Sequence, residues 1–284
     1  MNKNITAMIA TFNEERRLPY VYENLKNFCN IIVFDGGSTD KTFEYCKKEN
    51  IKFLSRPKVD KGDEMRLGDF MWMFKNTPTE YVILVYCAHF YPVELLNCYS
   101  KIANENILSA VYQDLIVFRY GTIVHKPFVR RIPSVCNFFK KSIINFEGAK
   151  IHDELAIKFD KTNMIRLEAK DELSLHLFQD DDCQSFTTKT IKYAALEAKQ
   201  QFGASKRLGF LGLLFKPLWR GFYAYFRSGA VKRGIPGLMY SILNMVYDFQ
   251  VNIMIWELSN NLDRQGMIKA HGLIRAKLNK DITD

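Results

Sequence analysis

Through residues 5–117 the chain repeats one pattern, a short apolar run followed by a stretch with helical periodicity. Residues 5–10 predict a strand, and residues 14–28 a helix that gathers Leu18, Val21, Leu25 and Phe28 on one face. Further strands are predicted at 31–34, 51–54, 81–86 and 109–117, with helices at 40–48, 64–74 and 92–103. Strand–helix alternation at this spacing implies a largely parallel sheet covered by helices on both faces. Ligands of such sheets bind outside the carboxyl ends of the strands.

The rest of the chain follows another plan. Residues 120–171 are irregular and mixed in polarity, as expected of an antiparallel edge with ligand-facing loops, and residues 184–200 regain helical periodicity. After Gln201 the composition shifts. Between Gln201 and Ile235 stand seven Lys or Arg residues and no Asp or Glu, interleaved with aromatic residues from Phe202 to Phe226. Pro217 is expected to break or kink any helix there. Residues 234–256 are mostly apolar, with Asp248 as their only charge. The expected division is an α/β domain over 1–200 and a basic, aromatic-rich helical region over 201–284.

With 284 residues, 48% of them hydrophobic and 25% charged, the chain can bury a sizeable core, which excludes disorder. Its formal net charge of +9 suits a polyanionic partner: nucleic acid, an anionic membrane surface or a phosphate-bearing substrate. The six cysteines, Cys29, Cys46, Cys87, Cys98, Cys136 and Cys183, contain no CxxC pair. They are expected to be reduced thiols, mostly buried. The first residues lack a basic segment followed by an apolar run, so no secretory signal is expected and a cytoplasmic location is implied.

Two motifs at predicted strand ends carry the chemistry. Ala10-Thr11-Phe12-Asn13-Glu14-Glu15 closes the first strand. Asn13 is expected to cap the next helix, with Glu14 and Glu15 at its positive end. Val33-Phe34-Asp35-Gly36-Gly37-Ser38-Thr39-Asp40 closes the second. Its glycines allow a tight turn, and Ser38, Thr39 or Asp40 can cap the helix that follows. An acidic residue beside the crevice is also placed to accept hydrogen bonds from a base or a ribose. For either motif alone, capping is the simpler explanation. Together, on consecutive strands, they are much more specific.

The pair resembles the opening of the family 2 glycosyltransferases of GT-A fold, a Rossmann-like α/β architecture. More narrowly, it resembles the bacterial subgroup that adds sugars to lipopolysaccharide core and related surface glycans. The likeness continues through Lys61-Gly62-Asp63-Glu64-Met65-Arg66, Ile151-His152-Asp153-Glu154, residues 173–176 and Lys216-Pro217-Leu218-Trp219-Arg220. It implies an inverting transfer of a sugar from a nucleotide-sugar donor, a UDP-sugar foremost, to a lipid-linked, lipopolysaccharide or capsule glycan. By position, Thr11, Phe12, Asn13, Glu14, Asp35 and Gly36 would line the donor pocket, with Phe12 against the base and Asp35 accepting a hydrogen bond from it. Arg66 would stand near the diphosphate. Asp153 or Glu154 would be the general base, beside His152. Position favours Asp153 and side-chain type favours Glu154.

One departure from the family is large. Its Asp-x-Asp motif, which holds a divalent cation on the diphosphate, falls here on Tyr86 and Ala88. Neither is a ligand for Mg²⁺ or Mn²⁺, which take carboxylate oxygens, so no cofactor is assigned. Four readings follow. The enzyme works without metal, with Lys61, Arg66, Arg130, Arg131 or His89 stabilising the leaving diphosphate. Or the donor carries a monophosphate leaving group. Or other residues hold the metal. Or the protein is a degenerate nucleotide-sugar-binding scaffold. A structural hydrogen bond is the simpler role for His89, and local orientation for His176. The run Asp180-Asp181-Asp182 reads as a solvated loop, since consecutive carboxylates cannot all face one ion.

In the basic region Leu208, Leu211, Phe215, Leu218 and Phe222 alternate with cations at helical spacing. That suits an interfacial helix, apolar side in the lipid boundary and cations on phosphates. An anionic membrane surface is thus favoured over nucleic acid, with the protein peripheral to the inner face of the cell membrane. The plainer alternatives are packing on the α/β domain or a subunit contact. Asn244, Asp248, Gln250 and Asn252 argue against a bilayer span at 234–256.

Overall fold

Which face a residue buries decides the layers of the first unit. The computed structural model describes residues 2–57, 67–107, 109–126, 135–144, 164–203 and 209–283. It resolves into two compact units, Met1–Asp180 and Asp181–Asp284. The first opens with β1 (Asn2–Thr11), α1 (Leu18–Leu25), β2 (Cys29–Asp35), α2 (Thr42–Lys48), β3 (Lys52–Ser55), α3 (Leu67–Lys75), β4 (Tyr81–Tyr86), β5 (His89–Phe90) and α4 (Val93–Asn104). It continues with β6 (Ala110–Gln113), β7 (Leu115–Arg119), β8 (Thr122–His125), β9 (Val135–Lys140), β10 (Met164–Arg166) and β11 (Leu175–Phe178). Ile5, Ala7 and Ile9 of β1, Val33 of β2 and Ile83 and Val85 of β4 pack with Leu18, Val21 and Leu25 of α1 and Leu95, Tyr99 and Ile102 of α4. The alternate residues Met8, Ile32, Phe34, Val82 and Leu84 pack with Met73 and Phe74 of α3. The result is a sheet between two helical layers. Each fully buried large apolar side chain contributes about 2 kcal/mol, against about 1 kcal/mol net for a typical hydrogen bond, so these two clusters dominate the stability of the unit.

Among the described residues the central sheet has the order β10-β6-β9-β4-β1-β2-β3. The pairs β1–β2, β1–β4, β2–β3 and β6–β10 are parallel. The mostly parallel, helix-flanked sheet predicted from the alternation is therefore present. The chain runs outward from β1 through β2 and β3, then returns to β4 on the other side of β1. That reversal is a topological switch point, where open α/β sheets form their ligand crevice.

Three sequence expectations change in the first unit. The strand predicted over 109–117 breaks at Asp114. β6 pairs with β9 and β10, whereas β7 pairs with β11 and β8 in a second sheet of order β5-β11-β7-β8. The break is made by a partner distant in sequence, Leu175, whose N–H donates to the carbonyl of buried Asp114. The antiparallel strand expected at an edge, β9, lies inside the sheet between β4 and β6. Helix α1 starts at Leu18, not at residue 14. Asn13 takes φ +57°, and residues 14–17 form a turn in which Glu14 O accepts from the N–H groups of Arg17 and Leu18. Pro19 in the first helical turn fits that later start.

The second unit holds α5 (Cys183–Gly203), α6 (Phe210–Phe222), α7 (Gly234–Ser259) and α8 (Arg264–Thr283). The boundary between units thus falls at 180/181, ahead of the composition shift at 200/201, because α5 buries Ala194 and Ala198 against Val251 and Ile255 of α7. Helix α6 continues through Pro217, so the proline, expected to break or kink a helix there, does not break it. A proline leaves the carbonyl four residues earlier without its helical donor. Here that carbonyl, Leu213 O, accepts from the side-chain amide of Asn252 at 3.2 Å, and Gly212 O does the same at 3.2 Å. One turn earlier on α7, fully buried Asp248 pairs with Lys216 Nζ (3.2 Å) and Arg220 (3.5 Å). Two of the polar residues of α7 that argue against a span, Asp248 and Asn252, are therefore contacts with α6, whereas Asn244 donates to Tyr240 O within α7. Among the described residues no helix is long and apolar enough to cross a membrane.

Candidate functional site

Thr11 and Asp35 end adjacent parallel strands and face each other in register. The loops that follow them therefore run side by side, and side chains fasten one to the other. Asp35 is 3% exposed. Its Oδ1 accepts from Thr11 Oγ1 (2.9 Å) and Ser38 Oγ (2.5 Å), and its Oδ2 from the N–H groups of Gly37 (2.8 Å) and Ser38 (2.8 Å). A carboxylate offers about four acceptor positions, so the protein itself fills them. Gly37 sits at φ +98°, which glycine adopts without strain. Gly36 donates its N–H to Thr11 O at 2.8 Å, and a Cβ there would come within 3.3 Å of the same oxygen.

The first loop is tied to the second along its length. Asn13 donates its N–H to Ser38 Oγ (2.8 Å), and its side-chain oxygen accepts from Thr39 N–H (2.8 Å). Glu14 N–H donates to Thr42 Oγ1 (2.9 Å), Glu15 N–H to Asp40 Oδ2 (3.0 Å), and Lys41 N–H to the Glu15 carboxylate (3.0 Å). Asn13 thus braces the neighbouring loop instead of capping α1. Asp40, one residue ahead of the N-cap Lys41, accepts from the N–H of Thr42 at the start of α2 (3.0 Å). Burial acts to raise the pKa of Asp40, but the donors from Thr42 and the Glu15 N–H outweigh it and hold the carboxyl below its ordinary range. The Glu14 carboxylate is gripped by the guanidinium fork of Arg17 at 2.8 and 2.6 Å. Phe12, by contrast, is 37% exposed.

The ends of β3 and β4 flank this pair. Arg56, directly after β3, donates its N–H to Asp35 O (2.8 Å) and its guanidinium to Asp69 of α3 (3.1 Å). Sequence reasoning passed over Arg56. Its position just past a strand end was the available signal. Across β1, Tyr86 ends β4 opposite Ala10, with its ring exposed. Its N–H donates to His89 Nδ1 (3.3 Å), which also lies 3.2 Å from the Tyr91 hydroxyl. Burial pushes the His89 pKa down to about 3, so the ring is neutral at physiological pH, and accepting at Nδ1 places its proton on Nε2. A neutral ring offers a leaving diphosphate a hydrogen bond but no charge. Ala88 presents only its carbonyl, which accepts from Phe178 N–H (2.8 Å).

No carboxylate stands at positions 86 and 88, and the nearby Glu14 and Asp35 are committed to protein partners. Among the described residues no group of three or more His, Cys, Asp or Glu could hold a metal ion. These strand ends do not fit a divalent cation, and no step is derived through one. His176 is stacked on Phe90 and tilted against Phe118, with its pKa lowered by burial. Of the aspartate run, Asp182 caps α5 through Ser185 N–H (2.7 Å).

Six of the predicted donor residues, Thr11, Phe12, Asn13, Glu14, Asp35 and Gly36, thus lie in one pair of fastened loops, and His89 follows the strand next to them. Arg66, His152, Asp153 and Glu154 lie outside the described residues, as do Lys61, Arg130, Arg131 and Leu208.

No protein-family profile matches the sequence, and no curated protein matches it. Among solved structures, S. aureus TarS 1–349 in complex with UDP-GlcNAc is similar over 92% of this chain and 93% of its own, at 11% identity and a TM-score of 0.48. Against the longer S. aureus TarS structure the likeness covers 88% of this chain at 13% identity and a TM-score of 0.47, and the chain spans 54% of that protein's length. Glucosyl-3-phosphoglycerate synthase from Mycobacterium tuberculosis, in complex with Mn²⁺, UDP-glucose and phosphoglyceric acid, is similar over 40% of this chain and 44% of its own, at 19% identity and a TM-score of 0.33. Likenesses this loose establish neither a family nor an activity for the chain.

Proposed function

We propose that the protein is a glycosyltransferase that takes its sugar from a nucleotide-sugar donor, a UDP-sugar foremost, held by the paired loops after β1 and β2. The observation that carries the reading is the fastening of those loops at adjacent strand ends beside the switch point, with Phe12 left exposed among bonded neighbours. A preorganised loop pair loses little entropy when a ligand binds. In this reading Phe12 meets the base. Asp35 acts chiefly as a positioning residue that fixes Gly37 and Ser38, and a base reaches it only by sharing an oxygen with a protein donor. The motif resemblance supplies the chemistry. Asp153 or Glu154, with His152 adjacent, takes the proton from an acceptor hydroxyl. The acceptor oxygen attacks the anomeric carbon from the face opposite the leaving group, the nucleotide departs with the bonding electrons, and the configuration inverts. Lys61, Arg66, Arg130 and Arg131 stabilise the departing phosphates in place of a metal. The acceptor is a lipid-linked, lipopolysaccharide or capsule glycan at the inner face of the cell membrane. The α/β unit carries the catalysis and the basic helical unit faces the membrane.

Tyr86 and Ala88 at the end of β4 favour one rival, a degenerate scaffold that binds a nucleotide-sugar without transferring it. Calorimetry with UDP, GDP and CMP, each with Mn²⁺ and with EDTA, tests the proposed site. One nucleotide is expected to bind, binding is expected to survive EDTA, and Phe12→Ala is expected to weaken it about tenfold, the worth of a stacked aromatic ring. Binding that requires Mn²⁺ would refute the metal-free version. Absence of binding in both conditions would remove the donor site altogether.

A further inference from the structure

Among the described residues, helix α6 leaves one side exposed. Leu211, Phe215, Leu218, Trp219, Phe222 and Phe226 recur at steps of three and four and share one helical face. All six are exposed, Leu211 by 78%, Phe215 by 69% and Trp219 by 55%. Their rings stack on one another instead of under another element. Phe215 and Trp219 lie near parallel at 6.4 Å, Trp219 and Phe222 at 5.7 Å, and Phe222 and Phe226 tilted at 4.8 Å. The π-helical turn Tyr223–Arg227 continues the face past the end of α6. Solvent-facing apolar stripes of this length mark an interaction surface.

Charge says which kind. Residues 201–235 carry seven cations and no acid. Lys216 and Arg220 turn away from the stripe and are drawn to buried Asp248. The cations at the end of the stripe are exposed Arg227 and Lys232 and partly buried Arg233. An aromatic face with Trp at its middle and basic residues at one end, on a helix too short and too mixed to span, suits the boundary between lipid tails and anionic headgroups. We propose that α6 lies in the plane of an anionic membrane, with the ring ladder from Phe215 to Phe226 inserted and Arg227 and its neighbours on lipid phosphates. The proposal rests on the peripheral-membrane reading above but not on the donor site. It also divides the cations. Asp248 withdraws Lys216 and Arg220 to hold α6 on α7, and the later residues bind lipid.

The full chain is tested by flotation with two kinds of vesicle, phosphatidylcholine alone and equal parts phosphatidylcholine and phosphatidylglycerol. Binding is expected to the anionic vesicles at a level well above the neutral ones. Phe215→Ser with Trp219→Ser is expected to lower it at least about tenfold, and Arg227→Glu to lower it for anionic vesicles only. Tyr20→Ser, which alters an exposed ring of the first unit, serves as control and leaves binding unchanged. Quenching of Trp219 emission by brominated lipid, compared with Trp219→Phe, needs no polar variant and reads insertion directly. Wild-type binding that the double variant retains, with Trp219 unquenched, would overturn the stripe as anchor while leaving the membrane reading intact. Failure of the wild type to bind either vesicle would overturn both. A wild-type dimer that the double variant dissolves would assign the stripe to a second copy of the chain, and steeply salt-dependent binding to random-sequence DNA in place of vesicles would assign the region to nucleic acid. Either outcome overturns the proposal.

Discussion

Asp35 and His89 both stand where the sequence offers ligand contacts, and the protein itself occupies the oxygens of Asp35 and one ring nitrogen of His89. Asp35 spends its oxygens on Thr11, Gly37 and Ser38. His89 spends Nδ1 on Tyr86 and Tyr91. For His89 the consequence is a pH dependence with a defined sign. Its pKa falls from 6.5 to about 3 on folding. Between those values the unfolded chain binds a proton that the folded chain refuses, so stability rises with pH. The contribution is complete above the unfolded value and is lost as pH falls toward the folded one. Urea unfolding of His89→Gln should therefore show a smaller loss of stability between pH 7 and pH 5 than the wild type. An identical loss in both proteins would show that His89 is not held neutral by the fold. The strand-end position of these residues is legible in the chain. Their satisfaction by neighbours 2 to 24 residues away is not.

At the scale of elements, Pro217 and Asn252 make the clearest case of a local rule set aside by a distant partner. A proline inside a helix costs about 3 kcal/mol, partly through the lost hydrogen bond. Asn252 restores a donor to the freed carbonyl at Leu213. Asn252→Leu should lower the thermal midpoint of the second unit by leaving the part-buried carbonyl oxygen of Leu213 unpaired, at about 1–3 kcal/mol. Pro217→Ala supplies an N–H for Leu213 O. The double variant should accordingly lose less than Asn252→Leu alone, a coupling that additive changes would disprove. The same reasoning explains the break at Asp114. The apolar run over 109–117 carries no mark of which sheet each half joins, and a carbonyl bonded to Leu175 decides it.

Over the whole molecule, burial also sorts the cysteines. Cys29, Cys46 and Cys87 are buried, Cys98 and Cys136 partly so, and Cys183 is exposed, all as free thiols. Burial pushes Cys29 up to about 12 and Cys46 up to about 11, which leaves little thiolate at neutral pH. A colorimetric thiol titration of the native protein should give one fast-reacting group, lost in Cys183→Ser, and all six after denaturation. Several fast groups in the native state would contradict the packing of both layers of the first unit. The expectation of reduced, mostly buried thiols follows from spacing alone. Which thiol stays accessible depends on how the strands and helices cover one another.

By itself the sequence determined the α/β class of the first unit, the strands β1, β2 and β4, the two sides of the sheet and the helical character of residues 184–200 and beyond. Those properties follow from apolar periodicity, which is written in neighbouring residues and needs no partner to be read. The two loop motifs were equally visible, and so was the absence of carboxylates at 86 and 88. Only the tertiary structure decided that β9 enters the sheet between β4 and β6, that α5 belongs with α7, that α6 continues through Pro217, and that Asp35 is turned inward. Each of these depends on a hydrogen bond or a packed surface supplied from elsewhere in the chain. Local pattern carries no record of such a partner, because the side chains that meet are chosen by folding and not by their spacing.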